Sequence, residues 1–380
     1  MSETVQMRTW AEVSLDNLAH NYRTLRDMLP EGCRFLGLVK ANAYGHGIGQ
    51  IGRKLQKLGC DMLAVACLDE AMELRRVGVT APILCLGQTP PQFAHLLLEC
   101  DVIQTISDFE TGRAMSDAAR AEGKKLKVHI KLDTGMTRLG FWWQEGGHET
   151  SLEEISALCR MPGLEAEGLF THFADAATGE AYTMEQFARF QQAKQVLEER
   201  GITFKICHCA ASGAVLNYPC TYLDMVRPGI LLYGYYPDAA LVKKRVPELL
   251  PVLTLKSRIS VIREIPAGTP VSYGCSVRVE RDSRLAVLPI GYGDGFSRQF
   301  SNRMQVLIHG QRCQVVGRVC MDMCMVDVTH LPQVRAGDVA VIYGRGGLLE
   351  EGAELADTIP YELLCNVNPR VPRVYLDSGR

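Results

Sequence analysis

Several features that would assign a protein to a specialised class are missing from this sequence. Its 41 lysines and arginines are balanced by 43 acidic residues, so no excess of positive charge points to nucleic acid. No apolar run approaches the roughly 20 residues that span a bilayer, and residues 1–8 lack the basic region and apolar core of a signal peptide. We therefore expect a soluble, cytoplasmic protein that binds neither nucleic acid nor membranes.

Metal-binding cysteine motifs are also missing, although the chain contains fourteen cysteines. No C-x-x-C occurs, and the closest sets are Cys207-His208-Cys209 and the pair Cys320 and Cys324. A zinc site usually needs paired ligands at tighter, repeated spacing. The cysteines are therefore interpreted as reduced thiols of a cytosolic protein, and no metal site is predicted.

The first two thirds of the chain alternate between helical patterns, such as Leu15–Leu29, Glu70–Val77 and Thr183–Arg200, and short apolar runs. Eight runs have strand character: Phe35–Val39, Met62–Cys67, Pro82–Leu86, Val102–Ile106, Leu126–Leu132, Leu164–Phe170, Phe204–Cys209 and Met225–Tyr233. Strands that alternate with helices indicate parallel βαβ units, and eight such units close a (β/α)8 barrel. A doubly wound open sheet is the alternative. For a dinucleotide it would carry a G-x-G-x-x-G turn after the first strand, where this chain has Lys40–Gly47.

The pattern changes near Pro237–Pro251. From Leu253 to Ile265 apolar residues recur with a period of two, and Gln305–Ile308, Gln314–Val316 and Val339–Tyr343 are further short strand candidates. We therefore predict an α/β protein, with a TIM-type (β/α)8 barrel over residues 1–243 and a mostly β C-terminal domain over residues 244–380. The extreme N-terminal strand is a candidate to pack with the second domain.

The active site of a β/α barrel lies at the C-terminal ends of its strands. Five polar side chains fall at or just after predicted strand ends: Lys40, Arg138, His172, Ser212 and Arg227. A lysine that ends an apolar strand is often a surface residue with a buried stem. However, the small residues of Ala41–Gly47 would admit a bulky ligand close to the backbone. A lysine desolvated there would have a lowered pKa and could form a Schiff base.

The loops after strands seven and eight of such a barrel commonly bind phosphate. Here they contain Ala211-Ser212-Gly213 and Pro228-Gly229-Ile230. Ser212 could donate its hydroxyl, and Gly229 would let a phosphate approach main-chain N–H groups. Alternatively, Ser212 caps a helix, and both roles are compatible because a helix N-terminus attracts anions. A Schiff-base lysine together with a phosphate site points to pyridoxal phosphate.

The segment Val39–Gly47 resembles the cofactor signature of alanine racemases, and the resemblance covers nearly the whole chain. It continues through Lys131–Gly140, Thr171–Ala174, Met225–Ile230, Val271–Gly274, Pro289–Gly295, Gly317–Asp322 and Tyr361–Glu362. The resemblance implies a (β/α)8 barrel followed by a β domain. It also implies a homodimer with shared active sites, in which the barrel mouth of one chain faces the β domain of the other.

The same resemblance implies a role for each matching residue. Lys40 would carry pyridoxal phosphate and act as the base on the D-alanine side, while Tyr273 of the partner subunit would act on the L-alanine side. Arg227 would bond to the pyridine nitrogen, and His172 would link Arg227 towards Tyr273. The phosphate would be held by Tyr44, Ser212, Gly229, Ile230 and Tyr361.

Four further residues are expected to contact the substrate or to support those contacts. Arg138 would bind the cofactor's phenolic oxygen and the substrate carboxylate, to which Met321 would add its backbone N–H, and Tyr292 is also assigned to substrate binding. Lys131 matches a lysine that family members can carry carbamylated, holding Arg138 in place. The resemblance thus predicts interconversion of L- and D-alanine, supplying D-alanine for peptidoglycan.

Some expectations leave room for alternatives. Many family members have asparagine where this chain has Ala211, which puts one hydrogen bond near the cofactor in doubt. A serine or broad-specificity racemase is the alternative substrate class, but Tyr361 favours a small pocket and alanine. A pyridoxal-phosphate decarboxylase on the same barrel would place a carboxylate where Arg227 stands. A lone-barrel cofactor-binding protein would lack Tyr273.

Overall fold

The structure is a computed structural model that describes residues 7–144, 146, 148–238, 241, 247–344 and 348–378. Strand β1 (Thr9–Ser14) leads directly into helix α1 (Leu15–Arg26). Ser14 is the N-cap of α1, and its hydroxyl oxygen accepts a hydrogen bond from the backbone N–H of Asn17 at 3.1 Å. The apolar face predicted for this helix is buried.

The next nine strands include the eight that form the barrel. They are β2 (Arg34–Leu38), β3 (Met62–Val65), β4 (Ile83–Cys85), β5 (Val102–Ile106), β6 (Leu126–Asp133), the short β7 (Phe141–Trp142), β8 (Leu164–Phe170), β9 (Ile206–His208) and β10 (Met225–Val226). All but β7 follow the parallel order β10-β2-β3-β4-β5-β6-β8-β9, and β7 pairs only with β6. Hydrogen bonds from the N–H of Arg227 to Ala210 O (2.8 Å) and from Asp224 to Cys207 O (3.1 Å) connect β10 to β9. The predicted barrel is confirmed, and the open sheet is excluded.

Helices follow the barrel strands and cover their outer face. They are α2 (Ile48–Lys57), α3 (Leu68–Arg76), α4 (Ala94–Glu99), α5 (Phe109–Ala121), α6 (His148–Cys159), α7 (Glu180–Glu199) and α8 (Ser212–Asn217). Strands covered on both faces read as continuous apolar runs, which is why the sequence pattern located them. No described helix combines the length and the apolar character needed to cross a bilayer.

The predicted strand Met225–Tyr233 is wrong beyond Val226. The chain leaves the sheet there, and Ile230–Tyr233 forms a 3₁₀ turn instead. Pro228 has no N–H with which to continue the ladder, and Gly229 turns the chain with φ −113° and ψ −91°. Arg227 and Gly229 consequently line the cavity at the C-terminal ends of the barrel strands.

The second sheet is mostly antiparallel, as the period-two pattern predicted. Its strands, together with the small β13–β14 hairpin, are β11 (Leu253–Arg258), β12 (Val261–Ile265), β13 (Pro270–Val271), β14 (Val277–Arg278), β15 (Ser283–Leu288), β16 (Gln305–Ile308), β17 (Gln311–Val316), β18 (Cys324–Asp327), β19 (Val339–Tyr343) and β20 (Arg373–Leu376). The sheet order is β12-β15-β18-β17-β16-β19-β11-β1-β20, so β1 lies in this sheet. The boundary placed between residues 243 and 244 lies outside the described residues and stays a prediction.

Two helices of the C-terminal part were not predicted. They are α9 (Leu348–Leu355) and α10 (Pro360–Cys365), and α10 begins with a proline at its first position, where a missing N–H costs nothing. Helix α10 packs against the segment after β2, since a Cβ added to Gly45 would lie 2.2 Å from the carbonyl oxygen of Leu364. This contact places Tyr361 over the barrel mouth of its own chain.

Ser14→Ala should lower the free energy of unfolding by about 1 kcal/mol, because the N–H of Asn17 loses its acceptor. Ser14→Asp should retain most of the stability, since a carboxylate accepts the same hydrogen bond. Denaturant unfolding followed by circular dichroism measures both variants. Equal stability of Ser14→Ala and the native chain would contradict the capping role.

Candidate functional site

A cavity of about 440 Å³ opens at the C-terminal ends of the barrel strands. This position is where barrels of this type hold their active sites, and the volume suits a small organic molecule. Ten of the residues singled out in the sequence line it: Lys40, Tyr44, Lys131, Arg138, His172, Ser212, Arg227, Gly229, Ile230 and Tyr361. The fold therefore gathers these side chains from six separate segments of the chain.

The segment that follows Lys40 turns in the left-handed sense. Ala41, Asn42, Ala43 and Tyr44 have φ values of 51–54°, a region that costs a non-glycine residue roughly 1–2 kcal/mol. Backbone hydrogen bonds hold the turn, from Ala43 N–H to Val39 O at 2.8 Å and from Gly45 N–H to Ala41 O at 3.0 Å. The turn presents Lys40 and Tyr44 to the same cavity.

The Lys40 amine lies within the cavity wall. Burial, reinforced by the positive charge of Arg138, lowers the pKa of Lys40, and Cys365 and Glu70 oppose this shift. A lower pKa raises the fraction of neutral amine at neutral pH, and the neutral amine is the nucleophile toward a carbonyl.

Hydroxyl groups and a glycine line one side of the cavity. The backbone N–H of Gly229 donates to Ser212 Oγ at 2.9 Å, and a Cβ added to Gly229 would lie 2.5 Å from Tyr44 Oη. The rings of Tyr44 and Tyr361 are 6.0 Å apart. Glycine at position 229 therefore keeps open the space that these hydroxyls surround.

The alternative that Ser212 caps a helix is wrong. Helix α8 starts at Ser212 itself, and the N-cap position belongs to Ala211, which has no side-chain acceptor. The Ser212 hydroxyl instead accepts a hydrogen bond from the loop after β10. It thus joins the two loops that the sequence assigned to phosphate binding.

Arg227 is buried at the floor of the cavity. Its Nη2 donates to the carbonyl oxygens of Thr171 at 2.8 Å and Cys209 at 3.0 Å, and lies 3.3 Å from His172 Nδ1. Its Nη1 lies 2.8 Å from His208 Nδ1. Burial lowers the pKa of Arg227 to about 10, so the guanidinium is still cationic at neutral pH.

His208 is a site residue that sequence reasoning missed. In the sequence it was considered only within Cys207-His208-Cys209, one of the cysteine sets examined for metal binding. Among the described residues, no group of three or more His, Cys, Asp or Glu could hold a metal ion. His208 instead accepts from Arg227, 19 residues away, and stacks on Phe170 at 4.7 Å. Its place at the end of a predicted strand was the available signal.

The loop after β6 positions Arg138. The Asp133 carboxylate accepts from the backbone N–H groups of Gly135 (2.9 Å), Thr137 (3.0 Å) and Arg138 (2.9 Å). Lys131 Nζ donates to Leu139 O at 2.6 Å. Burial, followed by the charge of Arg138, lowers the pKa of Lys131 to about 8. Asp133 was quoted only as part of a motif, and the structure shows it to organise the loop.

Three predicted residues lie outside the barrel cavity of their own chain. Tyr273 and Met321 line a separate cavity on the β domain, where they are 70% and 54% exposed. Tyr292 is 44% exposed and lines another cavity of that domain. A single chain therefore does not bring Tyr273 to Lys40.

The backbone around Met321 is hydrogen-bonded to the segment that contains Tyr292. Gly293 N–H donates to Met321 O at 2.8 Å. The buried carboxylate of Asp294 bridges Arg8 at 2.8 Å and Arg370 at 2.9 Å. Asp294, which the sequence singled out only within a motif, thus ties this segment to both ends of the described chain.

The backbone before Tyr273 is strained. Ser272 has φ 64° and ψ −174°, a region that is almost confined to glycine. Its hydroxyl donates to Arg318 O at 2.6 Å, and a Cβ added to Gly317 would lie 2.7 Å from Ser272 Cβ. The hydrogen bond and the missing side chain at Gly317 together hold the conformation that displays Tyr273.

Comparisons with known proteins agree with this arrangement. Residues 13–237 match the model of the alanine racemase N-terminal domain, and residues 252–375 match that of the C-terminal domain. The chain belongs to the alanine racemase family. Members of this family are isomerases that interconvert L- and D-alanine and use pyridoxal phosphate.

Individual alanine racemases are similar over almost the full length of the chain. That of Desulforamulus reducens is 45% identical over 97% of this chain and 98% of its own length. That of Clostridium perfringens is 44% identical over 96% and 95%. Among solved structures, alanine racemase from Clostridium difficile has a TM-score of 0.93 at 38% identity, covering 99% of this chain and 97% of that one. The enzyme from Bacillus anthracis with bound L-Ala-P has a TM-score of 0.92 at 33% identity over the same shares.

Ser272→Gly should be more stable than Ser272→Ala by about 1–3 kcal/mol, because both lose the hydroxyl but only glycine adopts this conformation without strain. Urea unfolding measures the difference. Ser276, which is exposed with φ −67°, provides the matched control, and there the glycine variant should be the less stable one. An alanine variant at position 272 as stable as the glycine variant would contradict the strain.

Proposed function

We propose that this chain is a pyridoxal-phosphate-dependent racemase that interconverts L-alanine and D-alanine with two bases. The observation that carries the proposal is the amine of Lys40, with its lowered pKa, in one cavity with a buried cationic arginine and a hydroxyl-lined recess. The enzyme would act in the cytoplasm, where it would supply D-alanine for the synthesis of peptidoglycan.

The donor set suits an anionic aldehyde cofactor. Lys40 Nζ would hold the aldehyde carbon, and Arg227 would donate to the ring nitrogen. The recess kept open by Gly229 would take the phosphate, with Tyr44, Ser212, Gly229, Ile230 and Tyr361 as its contacts. When bound, pyridoxal phosphate would delocalise the charge left on the amino acid's Cα after proton removal.

Arg227 would limit that delocalisation. A guanidinium is a donor only, and at neutral pH it stays protonated, so the ring nitrogen facing it would accept a hydrogen bond and carry no proton of its own. Burial and the charge of Arg227 hold the pKa of His172 well below its usual range, so His172 is neutral. It would link Arg227 towards Tyr273 as a hydrogen-bonding group and not as a cation.

Racemisation requires one group to remove the Cα proton and another to deliver a proton to the opposite face. Lys40 would serve the D-alanine side. The second group would be Tyr273 of the partner subunit in a homodimer, because Tyr273 is 70% exposed on the β domain and lies outside its own barrel cavity. Met321 and Tyr292 would reach the substrate from the same partner face.

The substrate carboxylate would bind between Arg138 and the backbone N–H of Met321 of the partner subunit. Lys131 would hold Arg138 in place once carbamylated, and its pKa of about 8 supplies the neutral amine that carbamylation needs. Tyr361 lines the cavity and would leave a small pocket that favours alanine over serine. Discrimination against one added hydroxyl in such a pocket is on the order of 100-fold, so slow serine turnover is expected.

The attachment of the cofactor to Lys40 is tested with the purified protein. An absorbance band at roughly 420 nm should appear, and borohydride should abolish it and leave the label on Lys40. Lys40→Ala should lose both the band and racemisation of L-alanine, followed by optical rotation. Lys127→Ala, on an ion-paired surface lysine, is the control and should keep both. A band that survives in Lys40→Ala would exclude this lysine.

The sharing of sites between subunits is tested by complementation. Lys40→Ala and Tyr273→Phe chains should each be nearly inactive alone. Co-expressed, half of their dimers are mixed, and each mixed dimer has one site with both native groups, giving about a quarter of native activity. Lys40→Ala chains mixed with the Lys40→Ala, Tyr273→Phe double variant should stay inactive. No recovery in the first mixture would overturn the shared site.

A further inference from the structure

A chain of buried polar groups runs from Arg227 into the barrel. Arg227 Nη1 lies 2.8 Å from His208 Nδ1, and His208 Nε2 lies 2.9 Å from Nδ1 of His129. His129 Nε2 faces Glu167 Oε1 at 3.8 Å and has no hydrogen-bond partner among the described residues. The two histidine side chains are fully buried, and Glu167 is 14% exposed.

A β-bulge brings Glu167 to this position. In the pairing of β6 with β8, Val128 lies opposite Ala166 and the next residue, His129, lies opposite Gly168. Glu167 is therefore an extra residue, and a bulge of this kind redirects the side chain it contains. Gly168 is needed as well, since a Cβ there would lie 2.4 Å from the His129 ring.

The hydrogen bonds that link Arg227, His208 and His129 can run in one direction only. A guanidinium donates and cannot accept, so His208 Nδ1 must be the acceptor of the Arg227 hydrogen bond. A neutral His208 then carries its proton on Nε2 and donates it to His129. His129 in turn carries its proton on Nε2, which faces the carboxylate of Glu167. Reversing His208 would set two donors against each other at Arg227, and reversing His129 alone would set its Nδ1–H against the Nε2–H of His208.

We propose that Glu167 and His129 are positioning residues that fix the tautomer of His208 and so hold the guanidinium of Arg227 in place at the floor of the cavity. An ionised carboxylate only accepts, so Glu167 selects from its end the same direction that Arg227 selects from the other end. The effect on catalysis rests on the proposed function, in which Arg227 binds the cofactor ring.

The charge states of these side chains support hydrogen bonds that run from Arg227 towards Glu167. Burial lowers the pKa of both His129 and His208, and the charge of Arg227 adds to the shift, so both imidazoles are neutral and each has a single proton to place. Contact with His129, together with Lys127 and Lys205, lowers the pKa of Glu167 although its burial acts the other way. The carboxylate is thus ionised at neutral pH.

The test compares Glu167→Gln with Glu165→Gln. Glu165 lies two residues earlier on β8, is 41% exposed and pairs with Lys205 on the surface, so its variant is a matched control. ¹⁵N-histidine-labelled protein reports the tautomer of each imidazole by NMR, with His208 and His129 assigned from their asparagine variants. The native protein should show His208 with an unprotonated Nδ1.

In Glu167→Gln the amide can donate to His129 and only Arg227 still selects the direction, so a second tautomer of His208 should appear beside the native one, whereas Glu165→Gln should match the native spectrum. The kcat for alanine should fall roughly tenfold with KM little changed, as expected when a hydrogen bond to a charged group is weakened. Glu167→Asp, which keeps an acceptor-only carboxylate, should restore the single tautomer and most of kcat.

An unchanged His208 tautomer in Glu167→Gln would overturn the proposal. Because the spectra are recorded on the protein irrespective of turnover, this outcome is separate from a failure of racemase activity. If Glu167→Gln does not fold, the Glu167→Asp spectrum still decides, since a mixture of His208 tautomers there would also refute the assignment.

Discussion

The arrangement of this molecule depends on one buried cation. Arg227 is almost completely enclosed by the barrel, and removing a guanidinium from water costs several kcal/mol unless its donors are satisfied. The carbonyl oxygens of Thr171 and Cys209 and the imidazole of His208 satisfy them, and the ring of Phe170 lies 5.5 Å away. The cation therefore requires β8, β9 and β10 to keep their relative positions. Burial together with this charge lowers the pKa of His172 beside it.

Backbone strain is concentrated around the candidate site. The left-handed turn at Ala41–Tyr44 and the conformation of Ser272 both occupy regions that non-glycine residues avoid. Each is held by specific contacts, the first by α10 against Gly45 and the second by the Arg318 carbonyl oxygen. Strained backbone tends to occur where a side chain must be displayed at one orientation, and here the side chains displayed are Lys40 and Tyr273.

The two candidate bases follow strands of different sheets. Lys40 follows the parallel barrel strand β2, and Tyr273 follows β13 beside the antiparallel sheet. The β domain does contribute to the barrel cavity of its own chain through Tyr361, yet it directs Tyr273 and Met321 outward into solvent. Because of this division, a site that uses both bases also needs a second chain.

The local pattern of the sequence was sufficient to predict the barrel strands, the change to a β domain and the polar residues at the barrel mouth. The reason is that hydrophobic periodicity records which faces are buried, and strand ends in a barrel converge by construction. Tertiary structure alone decided that β10 ends at Val226, that Arg227 pairs with His208, that a bulge turns Glu167 toward His129 and that α10 brings Tyr361 to the cavity. Some of these features join residues far apart in sequence, and others depend on one unpaired backbone position. Neither kind of feature produces a periodic pattern of apolar residues in the sequence.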